Sequence, residues 1–434
     1  MRWMLGAGML AALVSLLAGQ ARRSDLPPFL YTAAARYDAA AWNHGGERFP
    51  DGAHLVLVTR EARREAVPGF YASADAAVSY DGRRILFAGR PTRQDPWQIW
   101  QADLAGGAPR RIVTTSDGCI RPLYLPDGRV VYTRVAAAGS DIEVVPAEGG
   151  KADVLPHVPG RYLTGDVLHD GRILFEWGNE LFTVYPDGTG VESLRCDHGP
   201  RRSGGRQVSS GDVIFGVDGG LARFTSALAV QEKLPPADLE MMGPVAEVAP
   251  GRWLVAARPR SGGAYAIHLA GGLRNPESVE SPRGVQAVEP AIAAPRVPPR
   301  DFPSGLVTTR STGNLLCLDA RESKSPIEGA VHSVRVYTQD AAGGSQALGR
   351  TAIAPDGSFY VEVPADRPIR IELLDAAGAR LRAEERWFWM RPSEQRICVG
   401  CHAGPERAPE NKVPEILNRI LAPVKMLGDH GQTQ

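Results

Sequence analysis

The chain has 434 residues, 43% of them hydrophobic and 23% charged, a balance that excludes wholesale disorder. Lys+Arg and Asp+Glu both number 49, so the formal net charge is zero and the lopsided basic surface of a nucleic-acid binder is excluded too. With 48 Gly and 35 Pro, the composition suits short strands joined by tight turns.

Residues 1–21, MRWMLGAGMLAALVSLLAGQA, carry one charge at Arg2, then an apolar run, then small residues before Arg22. This is the plan of a secretory signal cleaved after Ala21. The run is short against the about 20 residues that a membrane span needs; an uncleaved signal anchor is the alternative. No Cys lies near the cut to take a lipid anchor, and no later segment is apolar enough to span a bilayer. The mature chain is therefore expected to be periplasmic or secreted, in a compartment where thiols oxidise.

Residues 22–288 cycle. Pro50-Asp51-Gly52 precedes HLVLVT, Asp81-Gly82 precedes RILFAG, Asp127-Gly128 precedes VVYTR, and Asp170-Gly171 precedes ILFEW. Ser210-Gly211 then precedes VIFGV, and Pro250-Gly251 precedes WLVAA. From Asp81 on, the interval is roughly 40–46 residues, the size of a four-stranded propeller blade. An Asp-Gly turn supplies the positive φ of a tight hairpin, and a lone blade must stack on neighbours to cover its faces. The rhythm resembles the TolB-type propeller repeat. It predicts an all-β chain with six blades, or seven if the two ends contribute a composite blade; a pair of β-sandwiches would space its turns less regularly.

The run EPAIAAPRVPPRDFP from Glu289 predicts a stiff linker or strap over 289–303. Gly305 to about Trp389 alternates apolar and polar again. Strands are predicted at Asn314–Asp319, Ser333–Thr338, Ser358–Val363 and Pro368–Leu374, enough for a small β-sandwich. Then comes Cys398-Val-Gly-Cys401-His402. C-x-x-C-H is the attachment site of a c-type haem: two thiols two residues apart add to the porphyrin vinyl groups, and the next imidazole lies at the iron. Residues 304–434 are therefore expected to form a β-rich haem domain with a short tail. Zinc would need further ligands from Cys119, Cys196 or Cys317, and a Cys398–Cys401 redox pair would want a thioredoxin-like βαβ context.

The segments TGNLLCLDA (312–320), GSFYVEVPAD (357–366), PIRIELLD (368–375), ERWFWMRPSE (385–394), CVGCH and APEN (408–411) together resemble the middle domain of the hydrazine synthase alpha subunit family. The resemblance runs in the same order from about Asp25 to Pro414. It implies a propeller followed by a β-rich domain with one covalent haem c, in which Cys398 and Cys401 are the thioether cysteines and His402 lies beside the iron. In the catalytic member of that family a Tyr shortly after the motif His is the iron ligand. Glu406 stands at the corresponding position here, so His402 ligation is expected and hydrazine synthesis is not implied.

Candidates for a sixth iron ligand are Met390, Met426, His430 and His332. Met426 and His430 follow a short amphipathic helix candidate near Pro414–Leu421 that would fold over the ring. Met390 and His332 have ordinary packing or surface readings. Trp387 and Trp389 alternate on one face, to wall a macrocycle or fill the sandwich core. Cys119 and Cys196 could pair if close, Cys317 reads as buried, and Cys196-Asp197-His198 reads as a loop. No catalytic nucleophile, phosphate loop or paired carboxylate motif stands out. The first expectation is an electron-carrying monohaem cytochrome whose propeller docks a redox partner or small molecule at its mouth. The alternatives are a haem enzyme acting on a small nitrogen or oxygen compound, and a propeller binding or sensor protein with a structural haem.

Overall fold

The computed structural model describes residues 25–195, 199–226, 230–235, 238–271, 276–340, 342–400 and 412–428. At the Asp81 turn, Gly82 N–H donates to Ser79 O and Ser79 N–H to Arg84 O; the same pair of bonds recurs at Leu125–Arg129, Leu168–Arg172 and Val208–Asp212. The turn glycines 82, 128, 171 and 211 stand at φ of 73–90°. That region costs glycine nothing and other L-residues about 1–2 kcal/mol.

These hairpins build six four-stranded propeller sheets among the described residues. Five are continuous in sequence and start from inner strands Ala72–Val78, Gly118–Tyr124, Tyr162–Val167, Ser203–Gln207 and Leu239–Ala249. We number these blades two to six. Blade one is composite: Gln286–Ile292 pairs with Phe29–Ala34, and His54–Val58 and Arg63–Glu65 follow outward. The ends thus do share a blade, but the ring closes at six and not at seven. The closing strand also runs past the expected boundary at 288. Its Glu289-Pro290 falls at a bulge between the Val288 and Ala291 pairings, where the ladder does not need the N–H that proline lacks.

Every inner strand has a register shift along its length. Asp75, Arg121 and Glu289 occupy three of these bulges at φ of 53–60°, a conformation that brings their side chains together. Arg48, from the loop 35–53, threads in among them. Its Nη2 donates to Asp75 Oδ1 and its Nη1 to Glu289 Oε1, both at 2.7 Å; Arg121 Nη2 and the Tyr37 hydroxyl donate to the same Glu289 oxygen at 2.7 and 2.8 Å. All four charged residues are buried, and two cations cancel two anions. Burial opposes ionisation of Asp75, but the guanidinium groups of Arg48 and Arg121 outweigh it and hold the carboxyl at about 2. The loop also buries Trp42 under the Arg201 guanidinium and brings Gly45 against Arg161. It therefore crosses the propeller axis from blade one to the far side of the ring.

Residues after Ile292 form a strap. Ala293 N–H donates to Pro28 O, Arg296 N–H to Tyr80 O and Arg300 N–H to His169 O, and Phe302 stacks on Tyr185 at 3.9 Å. A Cβ on Gly82 or Gly171 would meet strap backbone at 2.6 or 2.5 Å, so this close approach needs glycine at both turns.

The strap leads into two facing four-stranded sheets. One runs Ser345–Ala352, Ser333–Gln339, Ile369–Leu374, Arg380–Ala383; the other Gln395–Cys398, Thr312–Cys317, Phe359–Pro364, Val424–Lys425. Leu315, Val336, Val361 and Leu373 fill the space between them, each worth about 1.5–3 kcal/mol of burial. The four strands expected from the alternation are present within two residues at each end. The motif strand Gln395–Cys398 and the three remaining edge or polar strands carry no such alternation.

One tryptophan docks the sandwich on the propeller. Trp389 inserts among Tyr162, Trp177 and Phe182 of blade four, and its Nε1 donates to Gly188 O at 2.9 Å. Beside it the Arg391 guanidinium meets His157 Nε2 and lies 3.1 Å from Asp366. Burial lowers the His157 pKa; Asp366 opposes this, and Arg391 adds to it. The docked state therefore favours a neutral imidazole. Its contribution is present above the ordinary value of 6.5 and is lost as pH falls below it. Calorimetry is expected to show the melting temperature falling between about pH 7 and 5.5, with His157→Gln flattening that part of the profile. An unchanged slope in the variant would remove His157 from the docking.

Candidate functional site

Between the outer strands of blade four and the sandwich lies a cavity of about 910 Å³. Trp177, Phe182 and Tyr185 wall its propeller side, and Phe359, Trp387 and Phe388 its sandwich side. Trp177 and Phe182 pack at 5.0 Å. The Arg386 guanidinium lies 5.5 Å from the Trp177 ring centroid and 3.6 Å from the buried Glu180 carboxylate. Arg396 sits over Phe388 and donates to Glu394 Oε1 at 2.7 Å. The cavity thus combines broad aromatic faces with guanidinium groups, each already held by a carboxylate.

Cys398 is on its wall. The strand Gln395–Cys398 pairs in parallel with Thr312–Cys317 at the edge of its sheet. Burial pushes the Cys398 thiol up to about 11, with Arg396 pulling the other way. At Gly400 a Cβ would meet Glu322 backbone and side chain at 2.5 and 2.6 Å, so the residue between the motif cysteines has no room for a side chain. An aromatic-walled cavity beside a motif thiol has the flat faces a porphyrin needs; its charged lining is Glu180, Asp187, Glu192, Glu384 and Glu394 with Arg172, Arg386 and Arg396. Cys401, His402, Glu406, His430 and residues 196–198 lie outside the described residues.

The other candidates are dispersed. Met390 is fully buried in the sandwich core against Gly313, and Met426 is buried there against Gly349. Neither lines the cavity. The helix Glu415–Arg419 starts on the turn that precedes the strand Phe359–Pro364. Asp356 and Ser358 accept the N–H groups of Glu415 and Ile416, and Val424–Lys425 then joins the sheet at the edge opposite the Cys398 strand. His332 is exposed and stands away from the cavity lining. Trp387 lines the cavity, whereas Trp389 packs in the propeller rather than with it. Cys119 is buried in blade three, where burial raises its pKa; Cys317 and Cys398 are neighbours in one sheet.

Sequence reasoning missed the contribution of blade four. Its run ILFEWGNELFTVYPDG (173–188) is richer in aromatic residues than the matching run of any other blade, and that excess was the available signal. Among the described residues no helix is long and apolar enough to cross a membrane.

The fold defines a class: a six-bladed propeller strapped to a two-sheet sandwich, with a cavity between them. Residues 318–403 match the family model described as the hydrazine synthase alpha subunit middle domain. The hydrazine synthase of Kuenenia stuttgartiensis has the same fold over 91% of this chain and 72% of its own, at 17% identity and a TM-score of 0.76. The resemblance to the hydrazine synthase alpha subunit therefore holds in the sequence of the middle domain and in the fold of nearly the whole chain. TolB from Acinetobacter baumannii is similar over 62% of this chain and 67% of its own, at 15% identity and a TM-score of 0.47. TolB from Agrobacterium tumefaciens covers 61% and 89%, at 12% identity and a TM-score of 0.41. A search of curated protein sequences finds no match.

Proposed function

We propose that the chain is an exported monohaem c-type protein, its haem joined to Cys398 and Cys401 with His402 at the iron. The observation that carries this reading is the Cys398 thiol on the wall of an aromatic cavity of about 910 Å³. Trp177, Phe182, Trp387 and Phe388 offer the flat apolar faces that a macrocycle requires, and Arg386 and Arg396, each paired with a carboxylate, stand beside them. Bound there, haem supplies one-electron chemistry. Electron transfer is the role we favour, because the attachment strand is an edge strand and Ile397, next to Cys398, is 64% exposed. A partner protein can therefore approach that side closely. Further docking at the propeller mouth is proposed for the end that the loop 35–53 does not cross.

A second reading, a haem enzyme for a small nitrogen or oxygen compound, has one observation in its favour. Glu180 is a buried carboxylate on the cavity wall, 3.6 Å from the Arg386 guanidinium, where a polar group could orient a small ligand. Expression with haem-maturation factors and a pyridine haemochrome spectrum test the common ground. A covalent c-type spectrum is expected, lost or altered in Cys401→Ala. A colourless wild-type protein would overturn both readings. A six-coordinate low-spin spectrum supports electron transfer, and a five-coordinate iron that takes up CO supports catalysis.

A further inference from the structure

We propose that Cys317 and Cys398 form a modification site, closing as a cross-strand disulfide on the cavity wall when the chain carries no cofactor. The two are Cα partners in the parallel pairing of Thr312–Cys317 with Gln395–Cys398. Adjacent strands lie about 4.8 Å apart, inside the 4.4–6.8 Å that a disulfide spans between Cα atoms. Opposed residues present their side chains to the same face of a sheet. Here that face is the inner one: Leu315 and Cys317 are buried, with Arg396 and Cys398 opposite them, while Gln395 and Ile397 are exposed. Both cysteines border the same cavity, which leaves their side chains room to rotate toward each other. Leu318 N–H donates to Cys398 O at 2.9 Å and Asp319 N–H to Val399 O at 3.2 Å, so the backbones stay paired beyond the two cysteines.

The chemistry needs a disulfide oxidant; glutathione disulfide serves. One cysteine thiolate attacks its S–S bond, forms a mixed disulfide and releases one glutathione thiol. The second cysteine then displaces the other. Two S–H bonds break, one S–S bond forms, and the two protons and two electrons leave with the two glutathione molecules. Because burial keeps Cys398 protonated near neutrality, closure is faster at higher pH. The site stands without any cofactor; only its consequence rests on the haem reading. A Cys398 tied to Cys317 has no thiol left to add to a vinyl group, so this bond competes with haem attachment.

The test is non-reducing peptide mapping of the full chain, made without haem-maturation factors and treated with glutathione disulfide. A linked peptide pair containing Cys317 and Cys398 is expected, two hydrogens lighter than the sum of its reduced halves. In Cys317→Ser that species is lost and Cys398 either takes up an alkylating reagent or joins Cys401. A wild-type map in which Cys398 is joined to Cys401, or in which Cys317 and Cys398 are both alkylated, overturns the proposal. The wild-type map requires no variant to fold. A parallel expression with maturation factors separates the two ideas: the bond without haem in either protein defeats only the haem reading, and haem without the bond in the cofactor-free chain defeats only this one.

Discussion

Trp389→Ala is expected to lower stability by about 3–5 kcal/mol, the range for removing a large aromatic from a core. Trp389 has no exposed surface, and its ring lies among aromatic residues of blade four, not of its own sandwich. Withdrawing an indole from such a site forfeits the burial of about 150–250 Å² of side chain. It also leaves the Gly188 carbonyl without the indole N–H it accepts at 2.9 Å, a further cost of about 1 kcal/mol. The variant should unfold at a lower urea midpoint, and the strap after Ile292 should become cleavable in the folded protein, because the sandwich loses its hold on the propeller. Trp387 and Phe388, two residues and one residue upstream, line the cavity. The substitution should therefore also disturb the site, although Trp389 does not touch it. Trp389→Phe keeps much of the packing and loses the hydrogen bond, so its midpoint should fall between the two. Equal midpoints for wild type and alanine variant would show that the sandwich is held by something else.

The parts of this architecture that repeat were legible, and the parts that depend on one long-range contact were not. Five turns fall 40–46 residues apart because each opens the second strand of a blade that is continuous in sequence. The first turn, at Pro50–Gly52, comes late, only 30 residues before the next, because it opens the third strand of the composite blade, whose inner strand arrives from Gln286–Ile292. Only the closed ring explains that phase shift. The Cys398-x-x-Cys401-His402 motif needed no fold to be seen. Its cavity did, since about a third of its lining comes from residues 172–193 in a different domain. Trp387 and Trp389 show the limit best. Alternation put them on one face, yet one lines the cavity and the other enters the propeller, because the segment between the sheets makes a single bridge, Phe388 to Ile369, and is free to serve two bodies at once. Met390 and Met426 read as candidate ligands because sequence cannot tell an inward-facing core position from a cavity wall.

The centre of the ring makes the other large prediction. Asp75→Ala is expected to destabilise by about 3–5 kcal/mol, the cost of removing one partner from a buried ionic group. Two buried guanidinium groups, Arg48 and Arg121, would then face Glu289 alone. Alanine must also adopt the φ of 60° at this bulge, which an aspartate tolerates better. Charge balance separates the two effects. Arg48→Met combined with Asp75→Ala leaves one cation and one anion, so the double variant should lose less than the sum of the single losses, as coupled neighbours do. Strictly additive losses would mean that the four groups do not act as a unit. The acid limb gives an independent check. The Asp75 carboxyl is held at about 2 against an ordinary 3.8. Its contribution, roughly 2 kcal/mol, is present above the ordinary value and is lost as pH falls through the lowered one. Burial pushes the Glu289 carboxyl the other way, so of the two central carboxyls it is Asp75 whose contribution is lost between about pH 4 and 2. Denaturant unfolding across that window should give a flatter curve for Asp75→Ala than for the wild type, and parallel curves would place the acid sensitivity elsewhere in the molecule.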